Sequence, residues 1–143
     1  MKIHIITVGS PRLDYAKRGW TEYFERLEHF HQLRVTHLSD KQNTAEQLLA
    51  AAGSSYKVAL VIEGQSLSSQ GLADFLEKRA LASREVSFII GGPDGLPPEV
   101  INAADLSWSL SDLTFPHDLA MVVLLEALYR ASSINAGHPY HRA

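Results

Sequence analysis

Glycines follow a strongly apolar stretch near the middle of the chain, where residues 86–95 read VSFIIGGPDG. A short apolar run without polar alternation predicts a strand buried on both faces of a parallel sheet. Ligands of such sheets bind outside the carboxyl ends of the strands, and glycine lets another group approach the backbone closely. The turn is therefore either a ligand site or a plain strand-to-helix connection. The dinucleotide spacing G-x-G-x-x-G and the P-loop lysine are both missing, which disfavours generic nucleotide binding.

The residue types of this chain give little support for a metal site or for thiol chemistry. The chain has no cysteine, which excludes disulfides, thiolate metal sites and a cysteine nucleophile. Four histidines in the amino-terminal half lack any metal-ligand spacing such as H-E-x-x-H, and we interpret them as incidental: His4, His29, His31 and His37. We therefore expect no metal cofactor.

Length and composition fit one domain covering residues 1–143, with 45% hydrophobic and 20% charged residues. No segment approaches the roughly 20 consecutive apolar residues of a membrane span. The amino terminus begins a strand-like pattern at once, without the layout of a signal peptide. These features favour a cytoplasmic protein.

The charges are unevenly distributed along the chain, whose formal net charge is −3. Residues 85–129 contain seven acidic side chains and no Lys or Arg. Basic residues lie near both ends, and they either assemble a phosphate-contacting surface or form a merely solvated face. They include Lys2, Arg12, Lys17, Arg18, Arg26, Arg34, Lys41, Arg130 and Arg142.

Strand-like and helix-like segments alternate, which predicts a three-layer α/β domain with a mostly parallel sheet. Asn43 and Glu46 have the spacing of a capping box, so we expect them to open a helix that runs through Ala52 and stops at Gly53. The predicted strands are residues 2–9, 34–38, 57–64, 86–92 and 106–110, and the predicted helices are residues 12–30, 43–52, 69–82 and 119–134.

The last predicted helix, LAMVVLLEALYRASSI, is apolar on almost every side. Its only charges, Glu126 and Arg130, form an i, i+4 pair. A helix of this kind is normally buried on several sides, and one sheet face can cover only one stripe of it. We therefore predict a homodimer in which a second subunit covers the remainder.

Four pieces in this order resemble the ribosomal RNA large subunit methyltransferase H family of SPOUT methyltransferases: VSFIIGGPDGL, SWSLSDLTFPH, LLEALYRA and the tail HPYHR. The likeness covers the whole chain, including the TEY triplet at residues 21–23. It implies transfer of a methyl group from S-adenosylmethionine to N3 of a pseudouridine in 23S rRNA of the assembled ribosome. It also implies an α/β fold whose carboxyl-terminal part is threaded into a trefoil knot.

The resemblance implies that the cofactor lies between three separated loops. Gly91 would allow close approach of the backbone, and the leucines and Phe115 would offer apolar surface, although core packing is the alternative for Leu60 and Leu113. The implied cofactor contacts are Leu60, Gly91, Leu110, Ser111, Asp112, Leu113, Thr114 and Phe115.

The resemblance further implies catalytic roles for Tyr140, His141 and Arg142 in the tail, near a cofactor pocket that the partner subunit helps to form. Tyr140 and Arg142 can donate hydrogen bonds to carbonyl or phosphate oxygens, and the imidazole of His141 can accept or donate a proton. A frayed polar terminus is the alternative. We expect His117, which follows Pro116, to fix the loop rather than to act in catalysis.

One position departs from the family pattern, because Met121 stands where members carry an arginine in a stretch of the form L-x-R-V. An arginine that bound rRNA phosphate or the methionine carboxylate would supply a charge-assisted contact of about 1.5–3 kcal/mol. Either Arg12 or Arg142 compensates, or the substrate differs. A knotted methyltransferase acting on tRNA and a non-catalytic dimeric cofactor-binding module therefore remain alternatives, and Met121 favours the latter.

Overall fold

Apolar, β-branched strands build the centre of the molecule. The computed structural model describes residues 1–142. The strand at Val86–Ile90 (β4) is buried at all five of its positions, as its run of apolar residues without polar alternation predicts. The strands are β1 (Lys2–Val8), β2 (Gln32–Leu38), β3 (Tyr56–Ser66), β4 (Val86–Ile90) and β5 (Leu106–Ser109). The helices are α1 (Asp14–Glu28), α2 (Ala45–Ala52), α3 (Ser69–Leu81), α4 (Pro98–Ala103) and α5 (His117–Asn135), with a short 3₁₀ helix at Asp40–Gln42.

The five strands form one parallel sheet in the order β2-β1-β4-β3-β5, which confirms the predicted α/β class. Helices α1, α3 and α5 pack on one face, where Phe88 and Leu124 are fully buried. Helices α2 and α4 cover the other face through Leu48 and Val100, which are also fully buried. Both faces of β4 are thereby kept from water.

Helix α2 begins differently from the prediction. Thr44, not Asn43, is its N-cap, and the Thr44 hydroxyl accepts a hydrogen bond from the backbone N–H of Gln47 at 3.2 Å. Asn43 instead donates its side-chain amide to the carbonyl of Gly95 at 3.3 Å. This tertiary contact orients the Asn43 side chain away from the start of α2. An Asn side chain can either cap a helix or hydrogen-bond to a distant backbone group.

Helix α5 lies between α1 and α3, and this explains its apolar character within one chain. Met121, Leu124, Leu125 and Leu128 are fully buried, and Val122 lies against Gly19 of α1. The prediction that one sheet face leaves most of α5 uncovered within its own chain is therefore wrong, because two neighbouring helices flank it. Dimerisation stays a prediction that needs other support.

Helix α4 was not predicted, because six residues are too few to show a periodic pattern. Pro98 opens it and Val100 is its buried residue. Proline at the first position of a helix is favourable, since the missing N–H would have no partner there.

None of the helices in residues 1–142 has the length and apolar character needed to cross a membrane.

Candidate active site

A cavity of about 490 Å³ opens at the carboxyl ends of β3 and β4. Three segments form its walls: the end of β3, the glycine turn after β4, and the loop that precedes α5. This is the edge at which parallel α/β sheets bind their ligands.

A break in strand pairing brings the end of β3 to the cavity. Trp108 of β5 is paired with Leu60 and again with Gln65, so the intervening residues bulge from the sheet. Val61, Ile62 and Glu63 thereby line the cavity. These three residues were not predicted from the sequence, because the bulge depends on the pairing of β3 with β5.

Gly64 ends this bulge at a point where no side chain fits. A Cβ atom there would lie 2.8 Å from the backbone of Ser107. The glycine therefore lets the bulge close against β5.

The glycine turn after β4 packs tightly on itself. A Cβ atom on Gly91 would lie 2.6 Å from the carbonyl carbon and oxygen of Gly95, which itself has a φ of +80°. The N–H of Gly95 donates to the carbonyl of Gly92 at 2.9 Å. Glycine at position 91 is thus required first by the turn itself, a reason that the sequence did not reveal.

The loop before α5 is held by short polar contacts. The Ser111 hydroxyl accepts from the N–H of Leu113 at 3.0 Å, and the Ser109 hydroxyl donates to the carbonyl of Ser111 at 2.9 Å. Leu113 is 70% exposed although it lines the cavity, which excludes the core-packing alternative for this residue. Leu60 is partly buried, packs against the core and also borders the cavity.

The start of α5 forms the remaining wall. His117 lines the cavity, and its Nε2 atom is buried without a hydrogen-bond partner among the described residues. Asp118 next to it is only 9% exposed, and its Oδ2 atom accepts from the backbone N–H groups of Arg12 and Leu13 at 3.0 and 2.7 Å. The carboxylate therefore ties the β1–α1 loop to the mouth of the cavity.

The structure brings seven of the eight predicted cofactor contacts to this one cavity. Asp112 is exposed and is not among the residues that line it. The seven are Leu60, Gly91, Leu110, Ser111, Leu113, Thr114 and Phe115.

The predicted catalytic residues of the tail lie elsewhere on the same chain. The Tyr140 hydroxyl donates to Oε1 of Glu126 at 3.1 Å, and Nδ1 of His141 lies 3.2 Å from a guanidinium nitrogen of Arg130. With a rise of about 1.5 Å per residue, Glu126 and Arg130 lie roughly 13 and 20 Å along α5 from His117. Arg142 is exposed. The tail therefore does not line the cavity of its own chain.

Aromatic and ionic contacts hold the tail against α1 and α5. Tyr140 meets Tyr129 edge to face at 4.6 Å between ring centroids, and Arg130 lies 4.9 Å from the Tyr140 ring. Burial raises the pKa of Tyr140, and its hydrogen bond with Tyr23 and the Glu126 carboxylate raise that pKa further. The phenol is therefore a proton donor and not a base at neutral pH.

Met121 does not face the cavity. It is fully buried in the core between the sheet and its helices. An arginine at this position could not reach a ligand without leaving the core of this chain, so the loss of a ligand contact at Met121 finds no support in the structure.

Three of the four histidines that we predicted to be incidental form side-chain hydrogen bonds: His4, His31 and His37. Nε2 of His31 lies 2.8 Å from the Ser132 hydroxyl, and burial, with the nearby N-terminal ammonium, lowers the pKa of His31 to about 4. Burial also lowers the pKa of His4 and of His37. Within residues 1–142 no cluster of His, Asp or Glu could hold a metal ion.

Comparison of this sequence with known proteins identifies its family. A family model described as "Predicted SPOUT methyltransferase" matches residues 1–141. A protein of Deinococcus radiodurans named ribosomal RNA large subunit methyltransferase H is 49% identical over 145 aligned positions, covering 99% of each chain. The protein of that name from Deinococcus deserti is also 49% identical, covering 99% of this chain and all of its own.

Solved structures with much lower sequence identity share the fold. A protein from Haemophilus influenzae superposes with a TM-score of 0.56 at 12% identity, covering 99% of this chain and 70% of its own. One from Neisseria gonorrhoeae gives 0.57 at 14% identity, covering 99% and 86%.

The family match over residues 1–141 shows that this chain, with its parallel sheet and the cavity at the carboxyl edge of that sheet, is a methyltransferase of the SPOUT class. Within that class, the chain belongs to the ribosomal RNA large subunit methyltransferase H family.

Proposed function

We propose that this protein is an S-adenosylmethionine-dependent methyltransferase that modifies N3 of a pseudouridine in 23S rRNA of the assembled ribosome. The observation that carries the proposal is the convergence of three separated loops on one cavity in a chain of this family. The family resemblance supports the finer assignments, namely the nucleotide, the atom and the trefoil knot around the cofactor loops.

The cavity fits the proposed cofactor in size and charge. A volume of about 490 Å³ lies within the range of roughly 300–1,000 Å³ for small-molecule sites. Its charged lining residues are Glu63 and Asp94, and no Lys or Arg is among the lining residues that the structure describes. Two carboxylates favour S-adenosylmethionine, whose sulfonium and ammonium groups outweigh its single carboxylate and leave it with a net positive charge.

Apolar side chains supply the remaining contacts that such a cofactor needs. Leu60, Leu113 and Phe115 offer surface to the adenine and the methionine chain, while backbone N–H and C=O groups of the same loops can pair with the adenine edge. S-adenosylmethionine bound there would supply an electrophilic methyl group to the base nitrogen, the S–C bond breaking as the N–C bond forms.

The protein must orient the base and assist loss of its N3 proton. The tail carries suitable groups, since Arg142 can donate hydrogen bonds to the flanking carbonyl oxygens, His141 can accept a proton, and Tyr140 can donate to a carbonyl oxygen in place of its bond to Glu126. Because Glu126 and Arg130 hold the tail far from the cavity of its own chain, we propose that it acts at the cavity of a second subunit. A homodimer is then a requirement of the reaction.

Transfer of labelled methyl groups tests the proposal. Purified protein, labelled S-adenosylmethionine and either unmethylated ribosomes or bulk tRNA are incubated, and the labelled nucleotide is identified by digestion and mass spectrometry. We expect 3-methylpseudouridine from 23S rRNA. Label found only in tRNA would favour a tRNA enzyme, and cofactor binding without any transfer would favour a binding module.

Mixed dimers test the contribution of the tail to a second subunit. A variant that lacks residues 138–143 keeps its cavity, and a Gly91→Val variant keeps its tail. We expect each to be inactive alone and their co-refolded mixture to regain part of the activity, because one site per mixed dimer is complete. A mixture as inactive as its components would contradict a site shared between subunits.

We further propose that the protein works in the cytoplasm, where its ribosomal substrate is found.

A further inference from the structure

Three cations and an exposed aromatic ring lie together where β1 leads into α1. Arg12, Lys17 and Arg18 are exposed, and Tyr15 between them is 47% exposed. None of the three cations takes part in a salt bridge or a side-chain hydrogen bond within residues 1–142. We call these four residues the α1 entry patch.

The α1 entry patch begins at the edge of the sheet that carries the cavity. Strand β1 pairs in parallel with β4, and Thr7 is opposite Ile90, whose strand leads directly into the glycine turn. A Cβ atom on Gly92 would lie 3.2 Å from Val8, and one on Gly9 would lie 3.6 Å from Nε2 of His117. The segment after β1 therefore borders two walls of the cavity.

Asp118 fixes this position. Its carboxylate accepts hydrogen bonds from the backbone N–H groups of Arg12 and Leu13, and it directly follows the cavity residue His117. Arg12 thus leaves the backbone beside the mouth of the cavity, and Arg18 follows at about 6 Å along α1 from its first residue. The bonds hold the backbone while the cationic side chains extend into solvent.

The cavity itself cannot attract a polyanion. Its charged lining residues are Glu63 and Asp94, and the stretch from 85 to 129 holds seven acidic residues without a Lys or Arg. An RNA substrate that presents a base to the cavity must have its phosphates neutralised by other parts of the protein. The α1 entry patch supplies unpaired cations beside the mouth.

We propose that the α1 entry patch binds the single-stranded RNA that flanks the target base, with its cations on phosphates and Tyr15 stacked on a neighbouring base. This inference rests on the proposed function, because it assigns a binding surface to the same substrate. Cations interleaved with an aromatic ring are the usual platform for single-stranded nucleic acid. An acidic peptide could bind to the cations, but its carboxylates would not stack on the Tyr15 ring.

Charge removal tests the cations. Arg12→Gln combined with Arg18→Gln is compared with the charge-matched pair Lys78→Gln and Arg84→Gln, which lie on exposed positions near the end of α3 and just before β4. Binding to purified ribosomes is measured as a function of salt. We expect the patch variant to bind about 10–100-fold more weakly and its log–log salt slope to fall by roughly 1–2, whereas the control pair follows the wild type.

Tyr15→Ala and Tyr15→Phe test the stacking. Alanine is expected to raise KM for ribosomes about tenfold with kcat retained, while phenylalanine keeps the ring and the wild-type KM. Affinity for S-adenosylmethionine, measured by calorimetry, should be the same in all these variants.

Each outcome decides the inference separately from the proposed function. A patch variant that keeps the wild-type affinity and salt slope would overturn the inference, and so would a loss of binding that accompanies a changed oligomeric state in light scattering, which would assign the patch to a protein interface. Wild-type protein that binds ribosomes but transfers no methyl group would overturn the proposed function alone.

Discussion

Replacing Asp118 by alanine should destabilise the protein and loosen the mouth of the cavity together. The side chain is 9% exposed, and one of its oxygens accepts from two backbone N–H groups at 3.0 and 2.7 Å. Each hydrogen bond to a charged group contributes roughly 1.5–3 kcal/mol. Water can reach part of this loop after truncation and bond to the freed N–H groups, so the net loss is smaller than the sum of the two bonds. We therefore expect the free energy of unfolding to fall by about 2–3 kcal/mol and Tm by roughly 6–12 °C.

Asp118→Asn is the matched control. The amide keeps an oxygen that can accept both N–H groups, and it loses the charge and its favourable interaction with the amino terminus of α5. We expect asparagine to cost about 1 kcal/mol, with most of the cofactor affinity retained.

Urea unfolding and calorimetric titration with S-adenosylmethionine measure the two effects. We expect alanine to weaken both stability and cofactor binding, in each case more than asparagine does. An alanine variant within about 0.5 kcal/mol of the wild type, or equal effects of the two substitutions, would refute the role given to these hydrogen bonds.

Three further perturbations follow from individual contacts. Gly91→Ala should reduce affinity for S-adenosylmethionine at least tenfold in calorimetry, because its Cβ would meet the Gly95 carbonyl at 2.6 Å and displace the turn; wild-type affinity would contradict this. Leu113→Ser should leave Tm within about 2 °C of the wild type but weaken cofactor binding several-fold, since the side chain is 70% exposed at the cavity; a large fall in Tm with unchanged binding would return Leu113 to the core. For His31, burial lowers the folded pKa to about 4, below its ordinary 6.5, so the folded state binds fewer protons between these values. Stability should be complete above about pH 6.5 and decline by up to roughly 3 kcal/mol as the pH falls towards 4. Urea unfolding at several pH values should show that His31→Gln flattens this decline, and an unchanged slope would assign the pH dependence to other groups.

The local sequence patterns correctly predicted the strand and the glycine turn that form part of the cavity wall. A short apolar VSFII run followed by glycines predicts an inner strand and a tight turn, and the structure has both at 86–95. The glycines that end strands and the amphipathic helices likewise follow from the spacing of apolar residues. The periods of strands and helices are properties of neighbouring residues.

The parts that were missed depend on contacts between distant residues. The bulge that brings Glu63 to the cavity arises from the pairing of β3 with β5, and Asn43 leaves its capping position for the carbonyl of Gly95. Likewise, α1 and α3 flank α5 on both sides, which no pattern within the helix could show. The position of the tail depends on Glu126 and Arg130, more than two turns from the start of α5.

A crystal structure with bound S-adenosylmethionine tests the central claim most directly. We expect one cofactor in each chain, held between Leu60, Gly91 and Leu113, with the tail of a second subunit beside the methyl group. Cofactor bound at another surface, or crystals that contain none at a concentration that saturates related methyltransferases, would contradict it.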